Sequence, residues 1–143
     1  MPIIEHAEVA VQSTQVWVED SKSGKRIDAR VTAVGQDLVI AVGGGEKPHV
    51  GCVVLAQPGA SKTKAGGWST TCSVLTIPPH KEEPIARGVA TRVAGAFGRV
   101  TVVTAGVHDD NLDADGIAVY LRLGEELANK LVKHLEEIEV RGQ

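Results

Sequence analysis

The sequence predicts an α+β fold: a mainly antiparallel β-sheet of about six or seven strands packed by two helices. Three observations predict it. Short β-branched runs separated by polar or Gly/Pro turns fill the first half of the chain, and helical periodicity enters only after residue 81. Strands collected first and helices later argue α+β, with two helices covering one face of a mainly antiparallel sheet. At 143 residues the chain is long enough to bury a core without a staple, about 68–70% of its unfolded surface at this size. A single domain over residues 1–143 is expected.

Residues 8–19 alternate through Val9, Val11, Val16 and Val18, and the polar turn at 20–25 leads into residues 26–34, so the two segments read as a hairpin. In the second, Ile27, Ala29, Val31 and Ala33 take one face and Arg26, Asp28, Arg30 and Thr32 the other, the period of a sheet with one wet side. Residues 35–37 turn into a strand at 38–42, and another strand spans 50–56; both are apolar on successive positions and are expected to be central. Residues 57–67 are small and polar, a loop. A strand at 68–77 is stopped by Pro78 and Pro79. Glu82, Glu83 and Pro84 then open a helix, because proline is tolerated in the first turn and acids suit the positive end of the dipole. Its stripe is Ile85, Val89, Val93 and Phe97, backed by Ala86, Ala90 and Ala94, with Gly98 closing the end. Residues 99–105 form a β-branched strand and 106–115 a loop. A last helix over about 116–138 buries Tyr120, Leu121, Leu127, Leu131, Leu135 and Ile138.

The net charge of -3, with both signs mixed along the chain, carries no footprint for nucleic acid or an anionic membrane. No apolar run approaches the roughly 20 residues of a membrane span, and the start, with Pro2, Ile3, Ile4 and Glu5, lacks a basic segment before a long apolar one. A cytoplasmic location is expected. Cys52 and Cys72 sit inside apolar strand-like runs and read as free, structural thiols. Trp17, Trp68, Phe97 and Tyr120 are the only aromatics, so a planar ligand would lie against aliphatic groups, glycine backbone, histidine or proline.

The most informative stretch runs from Val39 to Leu55, where Gly43, Gly44 and Gly45 precede Lys47, Pro48 and His49 between two apolar runs. Three successive glycines cost conformational entropy and are kept where close approach or positive φ is useful. Read as a turn, they offer backbone N–H groups as an anion nest beside a lysine. The Rossmann pattern fails because no helix follows, and the P-loop pattern fails at Ser61, Lys62 and Thr63 for want of the second glycine. No G-x-S-x-G turn exists for a serine hydrolase. His6 and His134 lie among polar neighbours and read as inert, whereas His49, His80 and His108 each occupy a loop beside a regular element. None of them forms a close i, i+4 pair, so a zinc site has weak support. Asn111, Asp113, Asp115 and Gly116 imitate an EF-hand loop, but Arg122 stands where the bidentate glutamate is required. Helix capping and dipole stabilisation account for those acids, and orienting a polar ligand or a weakly held cation is the alternative.

Residues Val42 to Gly51, taken with His80-Lys81-Glu82-Glu83-Pro84-Ile85-Ala86 and Ala105-Gly106-Val107-His108, carry a resemblance. The chain resembles the prenylated-flavin chaperone-like domain, the small D-subunit found with hydroxyaryl acid decarboxylases such as gallate decarboxylase, over about residues 24–135. The resemblance implies a fold similar to proteasome assembly chaperones. It further implies binding of prenylated FMN (or FMN) and its maturation or delivery to the large subunit of a prenylated-FMN-dependent aromatic acid decarboxylase, without catalysis of the decarboxylation. It places Gly44, Gly45, Lys47, Pro48, His49, His80, Lys81, Glu82, His108 and Asn111 toward the cofactor. A protein-only assembly chaperone and a small metal-assisted enzyme are the alternatives. A homodimer is expected, formed through sheet edges or the alanine-rich helix surface of Ala86, Ala90 and Ala94.

Overall fold

Period-2 burial in the strands and period-3.6 burial in the helices build a two-layer domain. The structure is a computed structural model of the 143-residue chain that describes residues 12–60, 68–78 and 82–141. Its elements are β1 (Ser13–Glu19), β2 (Arg26–Val34), β3 (Asp37–Gly45), β4 (Cys52–Ala60), β5 (Trp68–Thr76), α1 (Glu83–Phe97), β6 (Thr101–His108) and α2 (Ala114–Arg141). The six strands form one sheet in the order β1-β2-β3-β6-β4-β5. All neighbours are antiparallel except β3 and β6, which run parallel from Leu38 opposite Thr101 to Gly45 opposite His108. The α+β expectation is met, with β3 and β4 both interior.

Both helices cover the same sheet face. Helix α2 packs on β1 and β2, and α1 on β4, β5 and β6. Between them lie Ile27, Ile40, Val54 and Val103 from the sheet and Val89, Val93, Leu123, Leu127 and Leu131 from the helices, none accessible to solvent. Helix α1 begins as its sequence dictates, with Pro84 in the first turn, and ends at Gly98, whose left-handed φ of 63° lets its N–H reach the Ala94 carbonyl at 2.9 Å. Helix α2 is capped by Asp113, whose Oδ1 accepts from the Gly116 N–H at 2.8 Å.

Several expectations are corrected. Gly43, Gly44 and Gly45 are the last residues of β3 and not a turn, because β6 pairs with all three and β2 with Gly43 and Gly44. Strand β4 runs on to Ala60 and β6 to His108, past the expected loop starts, since paired neighbours extend each ladder. The far part of β4 pairs only with β5, as a two-stranded ribbon beyond Ala56. Leu121 and Ile138 are partly exposed, and Leu123 is an additional buried position of α2. Ala86, Ala90 and Ala94 are fully buried beneath the sheet, so they offer no surface to a second copy. His134 is half-buried, with Nε2 2.8 Å from Thr14 Oγ1, and ties α2 to β1. Cys52 is buried and free, and burial raises its thiol pKa. Residues 1–11, hence the first part of the expected strand at 8–19, and residues 61–67 lie outside the described residues.

Candidate functional site

The chain must pass from β3 to β4 although β6 lies between them, and this crossing creates the site. Residues 46–51 cross the end of β6, held by the Lys47 N–H to the His108 carbonyl at 3.0 Å and the Gly51 N–H to the Ala105 carbonyl at 2.9 Å. The crossing is possible because of Gly106: a Cβ there would lie 1.7 Å from the His49 carbonyl oxygen. The crossing begins at Gly45, whose φ of 76° is left-handed and whose Cβ would meet the His108 carbonyl at 2.5 Å.

Asp109, immediately after β6, fixes the inner side of this corner. Its carboxylate is 9% exposed and accepts from the Glu46 N–H at 2.8 Å, Lys25 Nζ at 3.1 Å and the Tyr120 hydroxyl at 2.5 Å. One side chain thus joins the β1–β2 turn, the crossing segment and α2 to the end of β6. Burial acts to raise the Asp109 pKa, but the Tyr120, Glu46 and Lys25 donors together outweigh it and hold the carboxyl below its ordinary range. Tyr120 shifts the other way: burial first, then the bond to the ionised Asp109, push the phenol well above its ordinary value.

The outer side of the corner gathers the polar groups singled out in the sequence. His49 Nε2 lies 3.3 Å from Glu82 Oε1, and His49 Nδ1 is 3.1 Å from the Lys47 carbonyl. Glu82 is buried at the start of α1, and its Oε1 also accepts a long 3.4 Å bond from the Val107 N–H. His108 Nε2 lies 3.0 Å from Asp110 Oδ1, and Lys47 Nζ lies 3.2 Å from Asp110 Oδ2. The His49 and His108 rings meet edge to face at 6.5 Å between centroids. Lys47, His49, Glu82 and His108, drawn from the crossing, α1 and β6, therefore converge.

The other expected residues are placed differently. Pro48 packs in the crossing over Gly43, Gly45 lies against the His108 carbonyl, and Gly44 points to the helix side, where a Cβ would meet Ile27 at 2.5 Å. Asn111 is exposed in a left-handed turn at φ 59°. His80 and Lys81 lie outside the described residues. Asp109, Asp110 and Lys25 escaped the sequence reading, in which Tyr120 is a buried position of the last helix and not a partner of the corner. Asp109 stands in an acidic run with Asp110, Asp113 and Asp115, where nothing in the local pattern marks one as buried.

A cleft of about 300 Å³ adjoins the inner side, lined by Ser23, Lys25, Arg26, Glu46, Asp109 and Tyr120. The larger concavity, about 510 Å³, is at the opposite end of the sheet, among residues such as Val31, Leu38, Phe97 and Leu135. It is more apolar but holds none of the converging groups. Among the described residues no helix is long and apolar enough to cross a membrane.

Comparison with known proteins places these observations in a family. The prenylated flavin chaperone LpdD-like domain matches residues 21–136. Protein LpdD of Lactiplantibacillus plantarum is 24% identical over 127 residues, 85% of this chain and 86% of that protein. A solved chaperone complex for yeast 20S proteasome assembly has a chain that aligns with a TM-score of 0.43 at 8% identity, covering 81% of this chain and 98% of that one.

Proposed function

Since the chain belongs to the prenylated flavin chaperone LpdD-like family, we propose that it binds prenylated FMN at the crossing of β3 and β4 over β6 and supports the cofactor's maturation or delivery to a partner aromatic acid decarboxylase. The observation that carries the reading is the convergence of Lys47, His49, Glu82 and His108 at one corner. The donor set fits the cofactor. A phosphate needs a cation and N–H donors, which Lys47 and His108 supply from the exposed side. A flavin ring edge needs directed hydrogen bonds; both His49 ring nitrogens face protein acceptors, Nε2 the Glu82 carboxylate and Nδ1 the Lys47 carbonyl, so His49 serves a flavin by giving up one of them. When bound, the prenylated flavin supplies the electrophilic carbon chemistry of decarboxylation to its enzyme; this chain's own residues bind, orient and release.

The outer side of the corner is built from lysine, histidine and carboxylate side chains, which suits a carrier that must hand its ligand on. The test is co-expression with a flavin prenyltransferase, followed by the absorbance spectrum and intact mass of the purified protein. A flavin chromophore with the mass of prenylated FMN, lost in folded His49→Ala, is the expected result. A colourless protein that co-purifies with a decarboxylase subunit would replace the reading with a protein-only assembly chaperone.

A further inference from the structure

Asp109 and Asp110 are adjacent in sequence but serve opposite sides of the corner. Asp109 is buried against Lys25, Tyr120 and the Glu46 N–H, so the backbone at this point is held. Asp110 is half exposed, and its carboxylate sits between Lys47 Nζ, at 3.2 and 3.3 Å, and His108 Nε2, at 3.0 Å. Those two donors are themselves fixed relative to each other, because the Lys47 N–H is bonded to the His108 carbonyl at 3.0 Å. Removing Asp110 would leave their backbone positions in place.

We propose that Lys47 and His108 form the anion-binding element of this corner and that the Asp110 carboxylate is a built-in competitor that an incoming phosphate group must displace. The proposal rests on the reading that an anionic cofactor enters here, and adds how its affinity is set. Three features carry it. First, the carboxylate already occupies the point where the two donors converge, as an anionic oxygen ligand would. Second, the side chains of Lys47, His108 and Asp110 are 65%, 48% and 54% exposed, so their mutual attraction is weakened by water and exchanges readily. Third, the Asp110 side chain has a route away, since it lies on the outer surface and can swing into solvent. The same donors hold the Asp110 carboxyl below its ordinary pKa, so it is ionised and competes throughout the neutral range.

A phosphate dianion brings more charge to the two donors than a carboxylate, so it can win the exchange, yet it does so against a standing competitor. The consequence is affinity tuned for transfer, held below what Lys47 and His108 alone would give. Neutralising the competitor tests this. Asp110→Asn keeps the shape, removes the negative charge and should bind inorganic phosphate and FMN each about 3- to 10-fold more tightly than the unaltered chain, the range set by one or two exposed ion pairs. Lys47→Met should weaken both. Phosphate binding is followed by the His108 ring resonances and FMN binding by fluorescence, at low ionic strength, with thermal melts confirming that each variant folds.

The outcomes separate the two readings. Tighter phosphate and tighter FMN in Asp110→Asn support the competitor and the flavin site together. Tighter phosphate with no flavin binding in either protein upholds the competitor and removes the flavin reading. FMN bound equally by both proteins upholds the flavin site and overturns the competitor. Phosphate affinity that is unchanged, weaker, or undetectable in both proteins also overturns it.

Discussion

Replacing Asp109 by asparagine should destabilise the fold by about 3 kcal/mol. The native carboxylate accepts three bonds from Glu46 N–H, Lys25 Nζ and the Tyr120 hydroxyl while only 9% exposed. An amide of the same shape retains one acceptor oxygen but turns an N–H₂ toward donors. Hydrogen bonds to a charged group contribute about 1.5–3 kcal/mol each, and breaking a buried ion pair costs about 3–5 kcal/mol. Lys25 keeps a quarter of its side-chain surface in water, so the lower end applies to the ion pair. Against a total stability of about 5–15 kcal/mol, the loss lowers Tm by roughly 10 °C. Urea unfolding followed by circular dichroism measures it. The sign of the pH dependence follows from the depressed folded-state pKa of Asp109. Its stabilisation is complete above the unfolded value of about 3.9 and disappears as pH falls through the lower folded value. The gap between the two proteins should therefore be constant at neutral pH and close in acid. A gap under about 0.5 kcal/mol at pH 7, or one that persists undiminished to pH 2, would refute the reasoning.

Three further outcomes are expected. Tyr120 is the only tyrosine in the chain, so its ionisation is read directly from ultraviolet absorbance. With its folded pKa raised by burial and Asp109, its contribution is complete below the unfolded value of about 10 and is lost as pH rises above it. Phenolate should therefore form together with alkaline unfolding; reversible ionisation near pH 10 with the fold intact would contradict this. Gly106→Ala places a Cβ 1.7 Å from the His49 carbonyl oxygen and should cost about 3 kcal/mol or more while releasing the Lys47, His49 and Gly51 amides to hydrogen exchange. Gly88→Ala, a helical position where a Cβ meets nothing within 4 Å, should instead stabilise by about 0.5–1 kcal/mol.

What the sequence made legible was whatever is encoded by local period. The alternation of Ile27, Ala29 and Val31, the stripe of Ile85, Val89 and Val93, and the Gly98 cap were all readable and all hold. The glycine run misled because glycine is read as a breaker, yet here Gly43 and Gly44 continue a strand whose neighbours approach too closely for side chains. The Asp109 cluster was invisible for another reason. Its partners Lys25, Glu46 and Tyr120 lie as far as 84 residues away, and only the sheet order brings them together. Lys47, His49 and His108 stand out from the glycine-rich stretch and their loop positions, and the family resemblance adds Glu82, whereas their common corner depends on a crossing that no local pattern encodes.

That crossing also orders events in time. Strands β1, β2 and β3 can assemble as a meander and β4 and β5 as a hairpin, each through contacts near in sequence. The two halves meet only through β6, which is made last of the strands and slots between β3 and β4. Lys47 and His49 lie on the segment that spans the two halves, and His108 on the strand that unites them. No partially assembled sheet presents the complete set, so an emerging chain gains its polar corner in the same step that closes its sheet, and closure of such non-local pairings is the slow part of folding.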